Sequence, residues 1–258
     1  MLVSVVMPTY NCGKYIEEAI QSVINQSITD WELWIIDDCS NDNTEEIVKF
    51  YTDKYSSINY YKLIENGGPA VARTEGIKRA TGKYVAFLDS DDLWTSDKLE
   101  KQISFMESVG AKFSATAYAQ MDESGKAIGV VCVPPRKMNY RKCIRLSNPI
   151  GNLTVMYNQE ELGNFQVPLI KKRNDFALWL QILKKTDYCY GMEDILGCYR
   201  IGRANSVSSN KLAQAKYHWQ LYHEIEKHSF IRSCFEMGCW AFVKGTGIGL
   251  NKKKEKNS

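Results

Sequence analysis

The sequence predicts an α/β protein built on a mostly parallel central sheet with flanking helices. Three observations predict it. Short apolar runs alternate with amphipathic stretches, giving four strands and three helices within about ninety residues, the pattern of repeated βαβ units. Tyr84-Val85-Ala86-Phe87-Leu88 is apolar without interruption, as a strand buried on both faces should be. The apolar runs also end in polar residues, at Thr9-Tyr10-Asn11, Asp37-Asp38, Glu65-Asn66 and Asp89–Asp92. Open α/β sheets bind ligands outside the carboxyl ends of their strands, so these residues should line one functional edge of a Rossmann-like fold.

The elements follow in order. Val3–Met7 is the first strand. Tyr15, Ile16, Ala19, Ile20, Val23 and Ile24 then share one face of a helix. Trp31–Asp37 is the second strand, and Asp42-Asn43-Thr44-Glu45 reads as a capping box opening a helix to about Lys54. Ile58–Leu63 is the third strand. Pro69 suits the first turn of a helix that Thr81-Gly82 ends. Tyr84–Leu88 completes the set. Beyond it, Ser96 is a candidate cap for a helix over 97–108, and Lys112–Met121 with Lys126–Val133 form a hairpin. A strand over Leu153–Tyr157, a helix over Asn174–Lys185 and a strand near Leu196–Arg200 follow, then a polar loop, Ile201–Asn210. These divisions give a domain over 1–210, with a nucleotide-binding half to about 95 and an acceptor half over 96–210. Residues 211–258 form a C-terminal helical tail.

Composition narrows the function. With 258 residues, 44% hydrophobic and 24% charged, the chain can bury a full core. A net charge of +3 is too small to argue for nucleic acid as a partner. The eight cysteines contain no C-x-x-C pair and read as reduced thiols, which fits the cytoplasm. Leu2–Met7 is too short for a secretory core segment, and no run approaches the ~18 apolar residues of a membrane span.

The strand-end acids carry the chemistry. Three carboxylates in Asp89-Ser90-Asp91-Asp92 repel one another unless they are solvated, hydrogen-bonded or share a cation. Hard divalent ions bind through one or two carboxylates plus substrate phosphates, so Asp89 and Asp91 are candidates for Mg²⁺ or Mn²⁺ beside a diphosphate. Arg73, on the helix after Gly67-Gly68-Pro69, could reach the same diphosphate or be a solvated helix arginine. Asp38 could accept a hydrogen bond from a ring N–H, whereas Ser40 and Asp42 also suit a plain turn. Tyr10 could stack on a base or simply end a strand. Asp175 heads a helix, either complementing its dipole or serving as a general base. No G-x-G-x-x-G follows the first strand, which argues against NAD and FAD enzymes.

With these residues assembled, the chain resembles the inverting family-2 glycosyltransferases of GT-A fold, of the type that builds bacterial surface polysaccharides. The matching stretches are Val5–Asn11, Ile36–Thr44, Gly68–Gly76, Leu88–Asp92 and Asp175–Leu180, in the family's order. The resemblance implies that Thr9, Tyr10 and Asp38 bind the uridine of a UDP-sugar, and that Arg73 reaches its diphosphate or sugar. It implies Asp91 on a Mn²⁺ or Mg²⁺ ion, Asp89 and Ser90 on the nucleotide-sugar, and Asp175 as the catalytic base. It implies an acceptor hydroxyl on a glycan or lipid-linked oligosaccharide. Two positions depart from the pattern. Asn174 stands where many members have an acid, and Cys39 where glycine or a small polar residue is common.

In the tail, aromatic residues interleave with Lys, Arg and His before Lys252-Lys253-Lys254-Glu255-Lys256. That suits either a helix lying on the anionic inner membrane face or one packed back on the domain. A sugar-nucleotide pyrophosphorylase is the rival enzyme, although Pro8-Thr9-Tyr10-Asn11 occupies the place of its Gly-rich loop. A non-catalytic glycan-binding relative is the second alternative, against which the three acids Asp89, Asp91 and Asp175 stand.

Overall fold

The structure, a computed structural model, describes residues 1–146, 148–202, 211–246 and 252–254. Its first part is the expected alternation: β1 (Val3–Thr9), α1 (Ile16–Ile24), β2 (Trp31–Asp37), α2 (Thr44–Lys54), β3 (Ile58–Lys62), α3 (Pro69–Arg79) and β4 (Tyr84–Phe87). The neighbours β3, β2, β1 and β4 pair in parallel, with Val3 opposite both Trp31 and Tyr84. The second part turns the sheet mixed. It adds β5 (Leu93–Trp94), α4 (Lys98–Val109), β6 (Phe113–Met121), β7 (Ala127–Cys132), β8 (Lys137–Met138), α5 (Tyr140–Arg145) and β9 (Val155–Asn158). Then come α6 (Gln159–Leu162), α7 (Asn174–Lys185), β10 (Cys189–Arg200), α8 (Lys211–Gln220), α9 (Phe230–Thr246) and β11 (Lys252–Lys254). β9 runs antiparallel between β4 and β6, and β6–β7 is the predicted hairpin.

Burial on both faces explains β1. Val3, Val5 and Met7 join a cluster with Ile16, Ile20 and Leu99, whereas Val6 joins Ile77, Phe87 and Trp179 on the other side. A two-residue period sends alternate side chains to opposite faces, so a strand covered twice is mainly apolar, and its buried Ser4 is satisfied by donating to Glu32. Two glycines set α3. Gly68 precedes Pro69 with φ +81°, which favours a residue without Cβ. At Gly76 an added Cβ would stand 2.4 Å from Val6 Cγ1, so the helix could not lie this close to β1.

Several boundaries differ from expectation. The helix after β2 begins at Thr44 with Asn43 at the cap position, not Asp42. The Asp42 carboxylate nevertheless accepts the Thr44 N–H at 3.0 Å. Ser96 is no cap: α4 starts at Lys98 behind Asp97, and the Ser96 carbonyl accepts the Ser27 N–H. β10 runs to twelve residues, longer than Leu196–Arg200, because it gains pairing with β6 that local pattern does not show. Of the expected loop Ile201–Asn210, residues 203–210 lie outside the described residues.

The tail packs on the domain. Leu221 and Tyr222, in a π-helical turn over Leu221–Ile225, enter the same core cluster as Trp179. The His218 ring lies 4.9 Å from the Trp240 ring and 6.1 Å from that of Phe176. Helix α9 is thereby tied to the first turn of α7, and Lys252–Lys254 runs antiparallel beside β7.

Candidate active site

The loops after β1, β2 and β4 meet at the carboxyl edge of the parallel strands and are bonded to one another. The Asp38 N–H donates to the Thr9 carbonyl at 2.9 Å. The Asn11 N–H donates to Ser40 Oγ at 2.9 Å, and Ser40 Oγ in turn donates to Asp37 Oδ1 at 2.6 Å. The Cys12 thiol donates to the Ser90 carbonyl at 3.4 Å, which ties the first loop to the acidic one. Asp42 accepts from the Gly13 N–H and the Thr44 hydroxyl. Burial works against charge on Asp42, but these hydrogen bonds outweigh it and hold the carboxyl below its ordinary pKa.

Asp38 is buried, and both carboxylate oxygens are engaged. They accept the N–H groups of Gly67 at 2.7 Å and Gly68 at 2.8 Å. Burial pushes its carboxyl above the usual range, the neighbouring Asp37 adds to this, and the two N–H groups oppose it. Asp38 therefore shapes the turn into α3 as well as facing the site. Thr9 is buried with its hydroxyl lacking a partner among the described residues, whereas Tyr10 is 52% exposed and presents its ring to solvent at the same edge. Cys39 has φ +64°, a left-handed conformation that favours glycine, and its thiol donates to the Leu63 carbonyl at 3.0 Å. The departure at this position is accommodated by that contact.

Arg73 links the two halves. Its guanidinium is buried, donating Nη2 to Asp89 Oδ1 at 2.7 Å and Nη1 to Asn174 Oδ1 at 2.6 Å. Asp89 Oδ1 also accepts Asn152 Nδ2 at 2.9 Å. Among the described residues, Arg73 Nε and Asn152 Oδ1 are buried polar atoms with no hydrogen-bond partner, one donor and one acceptor beside the same carboxylate. Ser90 and Asp91 are buried next in line. One residue beyond Asn174, Asp175 Oδ2 accepts Asn148 Nδ2 at 2.9 Å.

Four residues of this arrangement carry no sequence signal of their own. Arg200 is buried and clamps the acidic loop. Its Nε donates to the Asp91 carbonyl, its backbone N–H to Asp92 Oδ1 and its Nη2 to Glu18. From sequence it only ended a strand. Asp92 is thus fixed by the backbone of β10. Asn148 and Asn152 lie in an Asn/Pro/Gly-rich segment; that punctuation marks a loop but no role. Asn174 stood out only as a missing acid, yet its amide accepts from Arg73.

A metal would have to share its ligands. Among the described residues no group of three or more His, Cys, Asp or Glu side chains is arranged to hold an ion unaided. Asp91, a buried carboxylate two residues past Asp89, fits a hard cation that completes its shell with diphosphate oxygens and water.

Loops gathered at the carboxyl edge of a Rossmann-like sheet suit a transferase, and comparison with known proteins gives the family. The glycosyl transferase family 2 pattern matches residues 4–152, and the chain belongs to that family. It is 43% identical over 252 residues to TuaG of Bacillus subtilis (strain 168), a protein assigned to teichuronic acid biosynthesis as a glycosyltransferase; the match covers 98% of this chain and 97% of that one. It is 35% identical to WfgD of Escherichia coli, a UDP-Glc:α-D-GlcNAc-diphosphoundecaprenol β-1,3-glucosyltransferase, over 90% of this chain and 89% of that protein. Among solved structures, TarS 1–349 of S. aureus in complex with UDP-GlcNAc superposes with a TM-score of 0.70 at 20% identity, covering 96% of this chain and 75% of that one. The PcManGT mannosyltransferase of Pyrobaculum calidifontis, in complex with GDP-Man and Mn²⁺, gives 0.63 at 16% identity, covering 95% and 75%. The chain is a glycosyltransferase with the GT-A fold.

Proposed function

We propose that the protein transfers a hexose from a UDP-sugar, with inversion, to a hydroxyl of a growing lipid-linked surface glycan. The observation that carries this reading is the Asn174–Arg73–Asp89 bridge. It brings the first turn of α7, and Asp175 with it, within one guanidinium of the donor-side acids. The relatives support the donor and acceptor classes, since WfgD takes UDP-Glc and a diphosphoundecaprenol-linked sugar.

In this reading Thr9, Tyr10 and Asp38 receive the uridine, with the unpartnered Thr9 hydroxyl and the exposed Tyr10 ring as contact groups. Ser90 and Asp89 border the ribose and the donor sugar, and Asp91 would hold Mg²⁺ or Mn²⁺. Such an ion, when bound, screens the charge developing on the departing diphosphate. Arg73 donates to that diphosphate from a buried position, where a charge-assisted hydrogen bond is strong. Asn148 fixes one oxygen of Asp175, leaving the other to take the proton of the acceptor hydroxyl. The hydroxyl oxygen attacks the anomeric carbon, the bond from that carbon to the phosphate oxygen breaks, and UDP departs on the opposite face. An α-linked donor then gives a β-linked product.

A panel of UDP-sugars assayed for UDP release, with Mn²⁺, with Mg²⁺ and with chelator, tests the proposal. One donor should be turned over and the chelator should abolish release. UTP formed from a UDP-sugar and pyrophosphate would instead establish a pyrophosphorylase, and donor binding without turnover a glycan-binding relative.

A further inference from the structure

Helix α9 is apolar on both sides, with half-buried Met237 and Trp240 turned toward the core. Its inner side buries Ser233 and Glu236 together with Val243. Its outer side exposes Ile231, Cys234, Phe235, Gly238, Ala241 and Phe242. At 100° per residue these six fall within an arc of roughly 120° that contains no charged residue. Ile231 is 81% exposed, Phe235 55% and Phe242 60%, whereas single exposed apolar residues, not a stripe of about three turns, are the norm. Burial raises the Glu236 carboxyl above its usual pKa, which Arg145 opposes. The helix thus places a carboxylate inside and phenylalanines outside.

Cations border the stripe. Arg232 and Lys244 flank it on α9, and Arg141, Lys142 and Arg145 are exposed on α5, which packs alongside. Arg145 bridges the two helices, lying over the Phe235 ring at 5.3 Å and 3.9 Å from Glu236. α5 contains no acid and the acid of α9 faces inward. A two-fold contact with a second copy would set these cations against themselves, whereas phosphate headgroups would pair with them. Among the described residues no helix is long and apolar enough to cross a membrane, so α9 suits the plane of an interface.

We propose that the outer face of α9 lies on an anionic lipid bilayer and holds the acceptor side of the active site against it. The inference rests on the lipid-linked acceptor proposed above. The link to the site is structural: Trp240 of α9 packs on His218, which packs on Phe176, the residue after Asp175. Lipid docking of α9 would therefore present the catalytic base to an acceptor whose lipid stays in the membrane. Long cationic side chains at the rim would reach up to the headgroups while the phenylalanines enter the acyl boundary.

Co-sedimentation of the full chain with phosphatidylcholine vesicles, with and without phosphatidylglycerol, tests it. The wild type should pellet with the anionic vesicles. The double variant Phe235→Glu/Phe242→Glu should bind them on the order of a hundredfold less tightly, while releasing UDP from its donor in solution at the wild-type rate. Arg141→Glu with Arg232→Glu should weaken binding to anionic vesicles only, with an unchanged melting temperature. A wild type that stays in the supernatant, or a double variant that pellets equally well, overturns the proposal. So does a wild-type dimer by light scattering that the double variant makes monomeric. Vesicle binding without transfer to any lipid-linked acceptor would sink the acceptor assignment and leave the docking face standing.

Discussion

The proposed donor edge and the proposed acceptor edge of this site are built by different means. At the donor edge three loops are sewn together: Asp38 takes two backbone N–H groups, Asp42 three donors, and Arg200 pins the backbone under the acids. At the proposed acceptor edge Asp175 has, among the described residues, one side-chain bond, from Asn148, and its helix is backed by the His218–Trp240 stack of the tail. The difference teaches that the chain fixes the proposed nucleotide side within the sheet and leaves the proposed attacking side to packing from the tail. Arg73, bonded to Asp89 and Asn174, is the direct polar joint between them.

The largest expected effect comes from the acceptor edge. Asp175→Asn should lose on the order of 10²–10⁴ in turnover with UDP affinity retained, measured by steady-state assay and calorimetry. Full turnover would take Asp175 out of the base role. On the donor edge, Asp38→Asn sets an amide NH₂ against one of the Gly67 and Gly68 N–H groups. That should cost about 1–3 kcal/mol of stability or UDP binding. Unchanged melting and UDP affinity would mean that the Gly67-Gly68 turn holds itself.

Acid should separate the two edges. Burial holds His218 neutral in the fold, with a pKa of about 3 against 6.5 when free. The unfolded chain binds the extra proton between those values, so stability falls as pH drops from 6.5 toward 3. At pH 5 the loss is about 2 kcal/mol, roughly 5 °C of melting temperature. His218→Phe should flatten this dependence. Asp42, whose pKa is lowered, contributes stability that is lost only below the ordinary aspartate range, so its loop should outlast the tail. Melts from pH 7 to 4 that superpose for wild type and variant would contradict the packing role of His218.

The smallest effect tests the single bond. Asn148 has φ +58°, so Asn148→Gly removes its amide without straining the backbone. Turnover should fall about tenfold with donor KM unchanged, whereas a matching loss in donor KM would place Asn148 on the donor side.

Much of the proposed donor edge was legible because β1, β2 and β4 carry mainly apolar runs, broken only by Ser4 and Glu32, that stop at polar residues. Those boundaries follow from burial on both faces, a strong local constraint. Asn148, Asn152, Asn174 and Arg200 were not legible as functional groups. An asparagine in a loop or an arginine at a strand end looks alike whether it faces solvent or a buried carboxylate. Only the register of β10 beside β6, and the arrival of α7 near β4, decide between those cases. The tail shows the same limit. Its aromatic and basic residues allowed either packing or membrane contact, and the rotation of α9 about its axis exposes Ile231, Phe235 and Phe242 while burying Glu236.

By itself the sequence determined the α/β alternation, the parallel edge at β1, β2 and β4, and the acids at the end of β4, because periodicity and burial act over a few residues. The tertiary structure decided what those acids touch. Asp89 meets Arg73, Asn152 and, through the guanidinium, Asn174, sixteen, sixty-three and eighty-five residues away along the chain. Bonds across such separations exist only after strands and helices have packed, so no local pattern records them.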